Sequence, residues 1–357
     1  MKKKLLALLL VLALAITSLV GCTSSNEEKD DLAAETVEFT DSLGRKVEIP
    51  ANIEKIAPSG SLAQIVLFSV TPEKLVGLSG EWSEDSKELI DEKYADLPVF
   101  GQFYGKGDLN MEALAAAEPQ LIIDIGEKKD GMEEDLDSIQ EQTGIPTIFV
   151  EATTANMSEC YTTLGKILNV EDNAKVLADY CKTTYDTTIE TMEKIGNENK
   201  VKLAYCVGDT GTNVIAEGSF HAEIINLLSN NVAVLDEPSS KGDGNEVSLE
   251  QLYIWNPDVI IFAPQSIYSE VGNQSEWQKI NAIANDKYYE APSTPYNWMG
   301  FPPSVNRYMG MIWLSEILYP EEFNYDLKEK TKEFYKLFYH ADLSDSQYEL
   351  LTKNAIK

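Results

Sequence analysis

Apolar and polar residues alternate along this chain at two periods, and the switches between them mark out the elements. Residues 36–40 (TVEFT) and 45–49 (RKVEI) alternate singly on either side of a turn containing Gly44, which predicts a β-hairpin ended by Pro50. From 53 to 150 short apolar runs alternate with helical stretches. Residues 74–78, 121–125 and 147–150 read as buried parallel strands, and 62–70, 110–117 and 132–143 as helices. Residues 157–195 read as helical with a break near Asn169. The second part, 171–195, has Val176, Leu177, Tyr180, Thr184, Ile189 and Met192 at helical spacing. At 1.5 Å per residue it reaches about 37 Å, enough to cross between two domains. The pattern then restarts with a strand at 200–207, a helix at 221–228 and a strand at 259–262, and helices at 305–318 and 327–339 close the chain. Such alternation is the mark of an α/β fold.

The restart is also a repeat. Residues 109–123 (LNMEALAAAEPQLII) align with 247–261 (VSLEQLYIWNPDVII), so that Glu112 meets Glu250, Leu114 meets Leu252 and Pro119 meets Pro257. Earlier in each half a Gly-Ser pair, Gly60-Ser61 and Gly218-Ser219, opens a helix. Two matched units in the same order point to a duplicated lobe rather than a solenoid. The expected architecture is therefore α/β, with two similar lobes of mainly parallel sheet flanked by helices, joined by a long rigid helix. The N-terminal lobe is assigned to 36–156, the connecting helices to 157–196, and the C-terminal lobe with its terminal helices to 197–357. A ligand cleft is expected between the lobes, beyond the carboxyl ends of the strands, where open α/β sheets bind their ligands.

The first residues carry a different signal. Lys2, Lys3 and Lys4 precede an apolar run at 5–20, too short for a membrane span of about 20 residues, and the run exits through Leu19-Val20-Gly21-Cys22. Basic start, short apolar core and small-residue exit describe a secretory signal over 1–21, and the exit resembles a bacterial lipobox, which implies lipidation of Cys22. Residues 22–35 are polar and acidic and read as a flexible tether. The formal net charge is −30. That excludes a nucleic-acid partner, which needs a basic surface, and disfavours flat adsorption to anionic lipid. Cys160, Cys181 and Cys206 match no metal spacing and read as buried free thiols, and with only two histidines, His221 and His340, no multi-imidazole metal site and no cofactor is expected. His340 reads as a surface residue.

Further motifs carry a resemblance. They are Asp41-Ser-Leu-Gly-Arg-Lys-Val-Glu-Ile-Pro50, Lys55-Ile-Ala-Pro-Ser59, the paired helix–Pro–strand units, Pro302-Pro-Ser-Val-Asn-Arg307, Trp313-Leu314 and Leu318-Tyr-Pro320. In this order, behind a lipobox, the chain resembles the class III substrate-binding lipoproteins of ABC importers, the periplasmic binding proteins for iron-siderophores, haem and cobalamin. The resemblance implies a rigid connecting helix, a shallow cleft and small closure on binding. It implies a tether to the outer face of the cell membrane, a small ligand handed to a permease dimer with its ATPase subunits, and no enzymatic activity. An iron(III) chelate is the favoured cargo, with an oxyanion such as molybdate or tungstate, cobalamin or haem as alternatives. A chelatase-like enzyme or an adhesin is a distant rival, without a triad or phosphate loop to support it.

The candidate ligand contacts are Ser59, Ser61, Tyr104, His221, Tyr296, Trp298 and Arg307. Ser61 and Gln64 fit a capping box, and the same helix start would favour an anionic group. Tyr104 sits in a loop at the expected cleft, His221 opens the repeat-related helix, and Tyr296 and Trp298 lead into the Pro-Pro pair and read either as pocket wall or as core. Arg307 could hold an anion bidentately or pair within its own structure. Glu112 and Glu250, related by the repeat, suit docking onto the two permease subunits.

Overall fold

The computed structural model describes residues 35–103 and 109–357. Strands β1 (Thr36–Thr40) and β2 (Lys46–Pro50) form the expected antiparallel hairpin. Asp41 fastens its turn, accepting from the backbone N–H of Leu43 and Arg45, while the Arg45 guanidinium reaches Asp41, Asp137 and the Thr147 carbonyl. Ser42 then bonds the backbone of Phe149 and Glu151, so the hairpin turn docks on the edge of the first sheet.

That sheet has the parallel order β3-β4-β5, from β3 (Ile56–Pro58), β4 (Leu121–Gly126) and β5 (Thr147–Glu151). Helices α1 (Ser61–Val70), α2 (Met111–Ala117) and α3 (Met132–Thr143) connect it. The run 74–78 does not form the expected strand. It leaves a 3-10 turn at Pro72–Lys74 and makes only single bridges, Ile56 with Leu75 and Leu78 with Val99. Gly77 lies under the Phe100 ring, where a Cβ would come within 2.1 Å of ring carbon, so the chain here is shaped by packing and not by a ladder.

The second sheet runs β11-β10-β6-β7-β9, with β8 also beside β6. Its strands are β6 (Lys202–Val207), β7 (Asn213–Val214), β8 (Asn230–Asn231), β9 (Asn245–Glu246), β10 (Val259–Phe262) and β11 (Tyr288–Glu290). The parallel set β6-β10-β11 repeats β3-β4-β5 in order and direction. The caps repeat too. Asn110 accepts from Ala113 N–H at the start of α2, and Ser248 accepts from Gln251 N–H at the start of the matching helix Leu249–Trp255. Both helices end on a left-handed residue, Glu118 at φ 52° and Asn256 at φ 45°, followed by proline and a strand. Even the faces agree. Leu121, Ile123 and Ile125 of β4 face the main core and Ile122 packs with Leu114, while Val259 and Ile261 of β10 face the main core and Ile260 packs with Leu252.

Between the sheets, α4 (Met157–Leu168) ends on left-handed Asn169 and α5 (Glu171–Ile195) follows, placing the break at the expected residue. The buried stripe of α5 is Ala174, Leu177, Ala178, Cys181, Thr184, Thr188 and Met192, so Val176, which is exposed, lies off it. Helix 221–228 opens as a 3-10 turn, Phe220–Ala222, before the short helix α6 (Glu223–Leu228). In chain order come α7 (Leu249–Trp255), α8 (Asn306–Leu318), α9 (Leu327–Phe338) and α10 (Asp345–Leu351). The α9 stripe Thr331, Phe334, Tyr335, Phe338 packs back on α1 and α5, so the terminal helix reaches the first half of the chain. Cys160, Cys181 and Cys206 are buried free thiols, pushed up in pKa by burial. Among the described residues no helix is long and apolar enough to cross a membrane.

Candidate functional site

The carboxyl end of β3 and the start of α1 build one wall of a cleft. Ser59 is buried and donates through its hydroxyl to the Asp124 carboxylate near the end of β4. Its carbonyl accepts from Phe103 N–H at 2.9 Å, which holds Phe103 against this wall. Gly60 is the N-cap of α1, extended and without a side chain to cap the helix, and no acidic residue lies in the first turn. The expected Ser61–Gln64 capping box is therefore not formed. Gln64 is buried and used elsewhere: its amide oxygen accepts from Ser79 N–H at 2.7 Å and Ser79 Oγ at 3.0 Å, and its nitrogen donates to Tyr296 Oη at 3.3 Å. The first N–H groups of α1 consequently open onto the cleft, with the positive end of the helix dipole behind them.

The cavity there measures about 470 Å³, within the usual range for a small-molecule site. Ser59, Gly60 and Ser61 line it beside Asp124, Glu127, Lys129, Asp130 and Asp135, and the second half of the chain contributes Phe220, Pro302 and Pro303. Burial raises the pKa of Glu127 above the ordinary carboxylate value, and the Glu223 carboxylate pushes it the same way. Among the described residues no group of three or more His, Cys, Asp and Glu is placed to hold a bare metal ion.

Arg307 stands behind the Phe220 wall and is almost fully buried. Nη1 is hydrogen bonded to the Glu223 carboxylate and lies 3.3 Å from Thr154 Oγ1, and Nη2 donates to the Phe220 carbonyl at 2.7 Å. The guanidinium carbon lies 4.5 Å from the centre of the Phe220 ring, a cation–π contact. Burial lowers its pKa and Glu223 opposes the shift. Thr154 Oγ1 donates to Glu223 at 2.6 Å, and Tyr308 donates to the Thr154 carbonyl at 2.6 Å. Arg307 is thus occupied by an internal carboxylate, the pairing left open by its sequence context.

His221 is half-buried, its ring stacked on Phe301 with centroids 4.6 Å apart. Burial and then the Arg307 charge lower its pKa below 6.5. Its neighbour Phe220 faces the cavity instead. Tyr296 packs on Trp82 and bonds Gln64, and Trp298 is buried, donating from Nε1 to Tyr335 Oη at 3.3 Å and packing on Trp313. Of the two readings open for this segment, these aromatics take the core one, and Pro302 and Pro303 supply the cleft wall. The drop into the core depends on Gly310 of α8, where a Cβ would stand 2.1 Å from the Trp298 carbonyl oxygen. Glu112 and Glu250 are exposed in the first turns of α2 and α7, without an ion pair among the described residues. His340 is exposed as expected, though its Nε2 lies 3.1 Å from the Phe68 carbonyl. Cys22 and Tyr104 lie outside the described residues. Sequence reasoning missed Phe220, which adjoins His221, and the carboxylates after β4, and it quoted Pro302 and Pro303 as a motif without naming them as ligand contacts.

Comparison with known proteins agrees with this architecture. A family model for periplasmic binding proteins matches residues 79–295. The molybdate-binding protein MolA of Haemophilus influenzae is 24% identical over 351 residues, covering 90% of this chain and 96% of that protein. The Fe(3+)-citrate-binding protein YfmC of Bacillus subtilis is 26% identical over 300 residues, covering 81% and 89%. An ABC transporter solute binding protein from Sulfurospirillum deleyianum superposes with a TM-score of 0.80 at 28% identity, over 88% of this chain and 99% of that one. With a parallel three-strand set repeated in two sheets, a helix between them and a cleft at the strand ends of the first, the chain belongs to the periplasmic binding protein family, as a substrate-binding component of an ABC importer.

Proposed function

We propose that the chain is the lipid-anchored, extracytoplasmic capture subunit of its importer, that its cargo is a metal chelate, and that an iron(III) chelate is the first candidate. The observation carrying this reading is the cleft between the β3 and β4 ends and the Phe220–Pro302–Pro303 wall, about 470 Å³ in volume. That space suits a chelate rather than a bare ion. The described residues also assemble no ligand set for a naked metal, so the metal would arrive with its coordination sphere filled. The name of the relative YfmC points the same way. Ser59, Ser61 and Tyr104 would contact the ligand from one side and Phe220 from the other, with His221 and Arg307 supporting that wall from behind. Glu112 and Glu250, related by the repeat and exposed, would meet the two permease subunits. Cys22 would carry the lipid, and 22–35 would give reach.

One observation favours a second reading, capture of an oxyanion. The uncapped start of α1 offers free N–H groups to an anion, and the relative MolA is a molybdate binder by name. Thermal-shift screening separates the readings. A ligand at 100 times its Kd adds about 2.7 kcal/mol to stability, a visible rise in Tm. Ferric chelates should produce it, and molybdate alone doing so would favour the second reading. Silence with ferric chelates, haem, cobalamin and molybdate, together with unchanged uptake of each after deletion, would remove the transport reading. Cys22→Ser should release the protein from the membrane fraction.

A further inference from the structure

We propose that the cleft selects its ligand by charge, taking a chelate with a cationic or neutral outer surface and rejecting anionic ones. This rests on the reading of the cleft as a chelate site and names the class of chelate.

The first ground is the lining. Among the described residues, and leaving aside Asp124, which is engaged with Ser59, three carboxylates, Glu127, Asp130 and Asp135, line the cavity against one ammonium, Lys129. The start of α1 adds only roughly half a positive charge, so the balance of the described lining stays negative. A dianion entering this space meets like charge at short range, an effect that is strongest at low salt because Asp130 and Asp135 are exposed.

The second ground is independent of the lining. Gripping an anion tightly in such a site calls for a guanidinium, whose planar fork binds carboxylate or phosphate bidentately. The sequence contains two arginines, Arg45 and Arg307. Arg45 is committed to Asp41 at 3.0 Å and Asp137 at 2.7 Å, beside the N-terminal hairpin and away from the cleft lining. Arg307 is committed to Glu223, Thr154 and the Phe220 carbonyl, and its Nε is turned to Gly300, where a Cβ would stand 2.7 Å away. No arginine is left to hold an anionic ligand. Glu223 occupies the guanidinium that such a ligand would need, and Glu127, which lines the cavity, is close enough to interact electrostatically with both.

The test is a matched series on the mature protein. A linear ferric trihydroxamate with a pendant ammonium, its N-acetylated neutral form and its N-succinylated anionic form share one metal coordination sphere and differ in outer charge. Equilibrium titration at low salt should give affinity in the order cationic, neutral, anionic, with about tenfold between the ends, narrowing as salt rises toward 0.5 M. Asp130→Asn combined with Glu127→Gln should compress the order without abolishing binding of the neutral form. Equal or tighter binding of the anionic form, or an order that ignores both salt and the double variant, would overturn the inference. Ferric citrate binding more tightly than the cationic chelate would sink the charge rule and leave the chelate reading standing. No saturable binding by any ferric chelate would remove the chelate reading, and the inference with it.

Discussion

The Arg307–Glu223 pair gives the sharpest test of how the wall behind the cleft is held. Glu223→Ala removes the one carboxylate among the described residues that is hydrogen bonded to a guanidinium whose side chain is 3% exposed, leaving the Phe220 carbonyl and Thr154 hydroxyl as neutral acceptors. Breaking one side of a fully buried ion pair costs about 3–5 kcal/mol, because the surviving charge is stranded. Glu223 itself is 33% exposed, so water can partly replace it, and the expected loss is about 2–3 kcal/mol. With a urea m-value of about 3 kcal/mol/M, that lowers the unfolding midpoint by roughly 0.8 M. The double variant Arg307→Met with Glu223→Leu removes both charges and keeps the volume, and should recover most of the loss. Urea unfolding of wild type, Arg307→Met, Glu223→Leu and their double variant at pH 7 closes the cycle, with Glu223→Ala measured beside them. A loss under about 0.5 kcal/mol for Glu223→Ala, or a double variant worse than the sum of the singles, would refute the claim that Glu223 neutralises a buried charge.

Three further outcomes follow from the same geometry. Glu127 has a folded pKa raised above 4.5, chiefly by burial, so its contribution to stability is present below that pH and is lost as pH rises through the folded value; Glu127→Gln should raise Tm at pH 7 and flatten its fall between pH 4.5 and 7. His221 has a folded pKa lowered below 6.5, so stability falls as pH drops through 6.5, and His221→Phe should remove that acid-side slope in Tm against pH. Gly310→Ala drives a methyl into the Trp298 carbonyl and should cost at least about 1–3 kcal/mol in urea unfolding, whereas Gly60→Ala, with open space around it, should cost under about 1 kcal/mol.

Much of the fold was legible because its signals are local. The hairpin, the α4–α5 break at Asn169 and the repeat all rest on residues that set their own backbone: alternation, a left-handed Asn, and a capping residue, acidic first turn, left-handed end and proline in fixed order. The run 74–78 misled because its apolar composition matches a buried strand, while the packing of Gly77 under Phe100 that shapes it is tertiary. Arg307 shows the same limit. Its partner Glu223 lies 84 residues away on another helix, and nothing near either residue announces the pairing. Tyr296 and Trp298 sit in a loop beside two prolines, a context that suits a pocket wall as well as a core, and only Gly310, a small residue in an otherwise bulky buried helix, hints that the loop lies flat on α8.

The ties between the two halves bear on how the cleft works. The main core runs without a break from Val47 in the first half to Ala355 at the C-terminus, and α9 returns to lay Phe334 and Phe338 against Tyr180 and Tyr161. Gln64 joins α1 to Tyr296, and Tyr308, Arg307 and Glu223 converge on Thr154. A wide hinge motion would have to break these hydrogen bonds and uncover core side chains at about 1.5–3 kcal/mol each, so these ties oppose it. The groups free to move are those without such ties at the lip, Pro302 and Pro303 on one side and the exposed carboxylates Asp130 and Asp135 on the other. Ties of this kind favour recognition by a nearly preformed surface over closure around the ligand, which is the condition under which charge at the cleft could select the cargo.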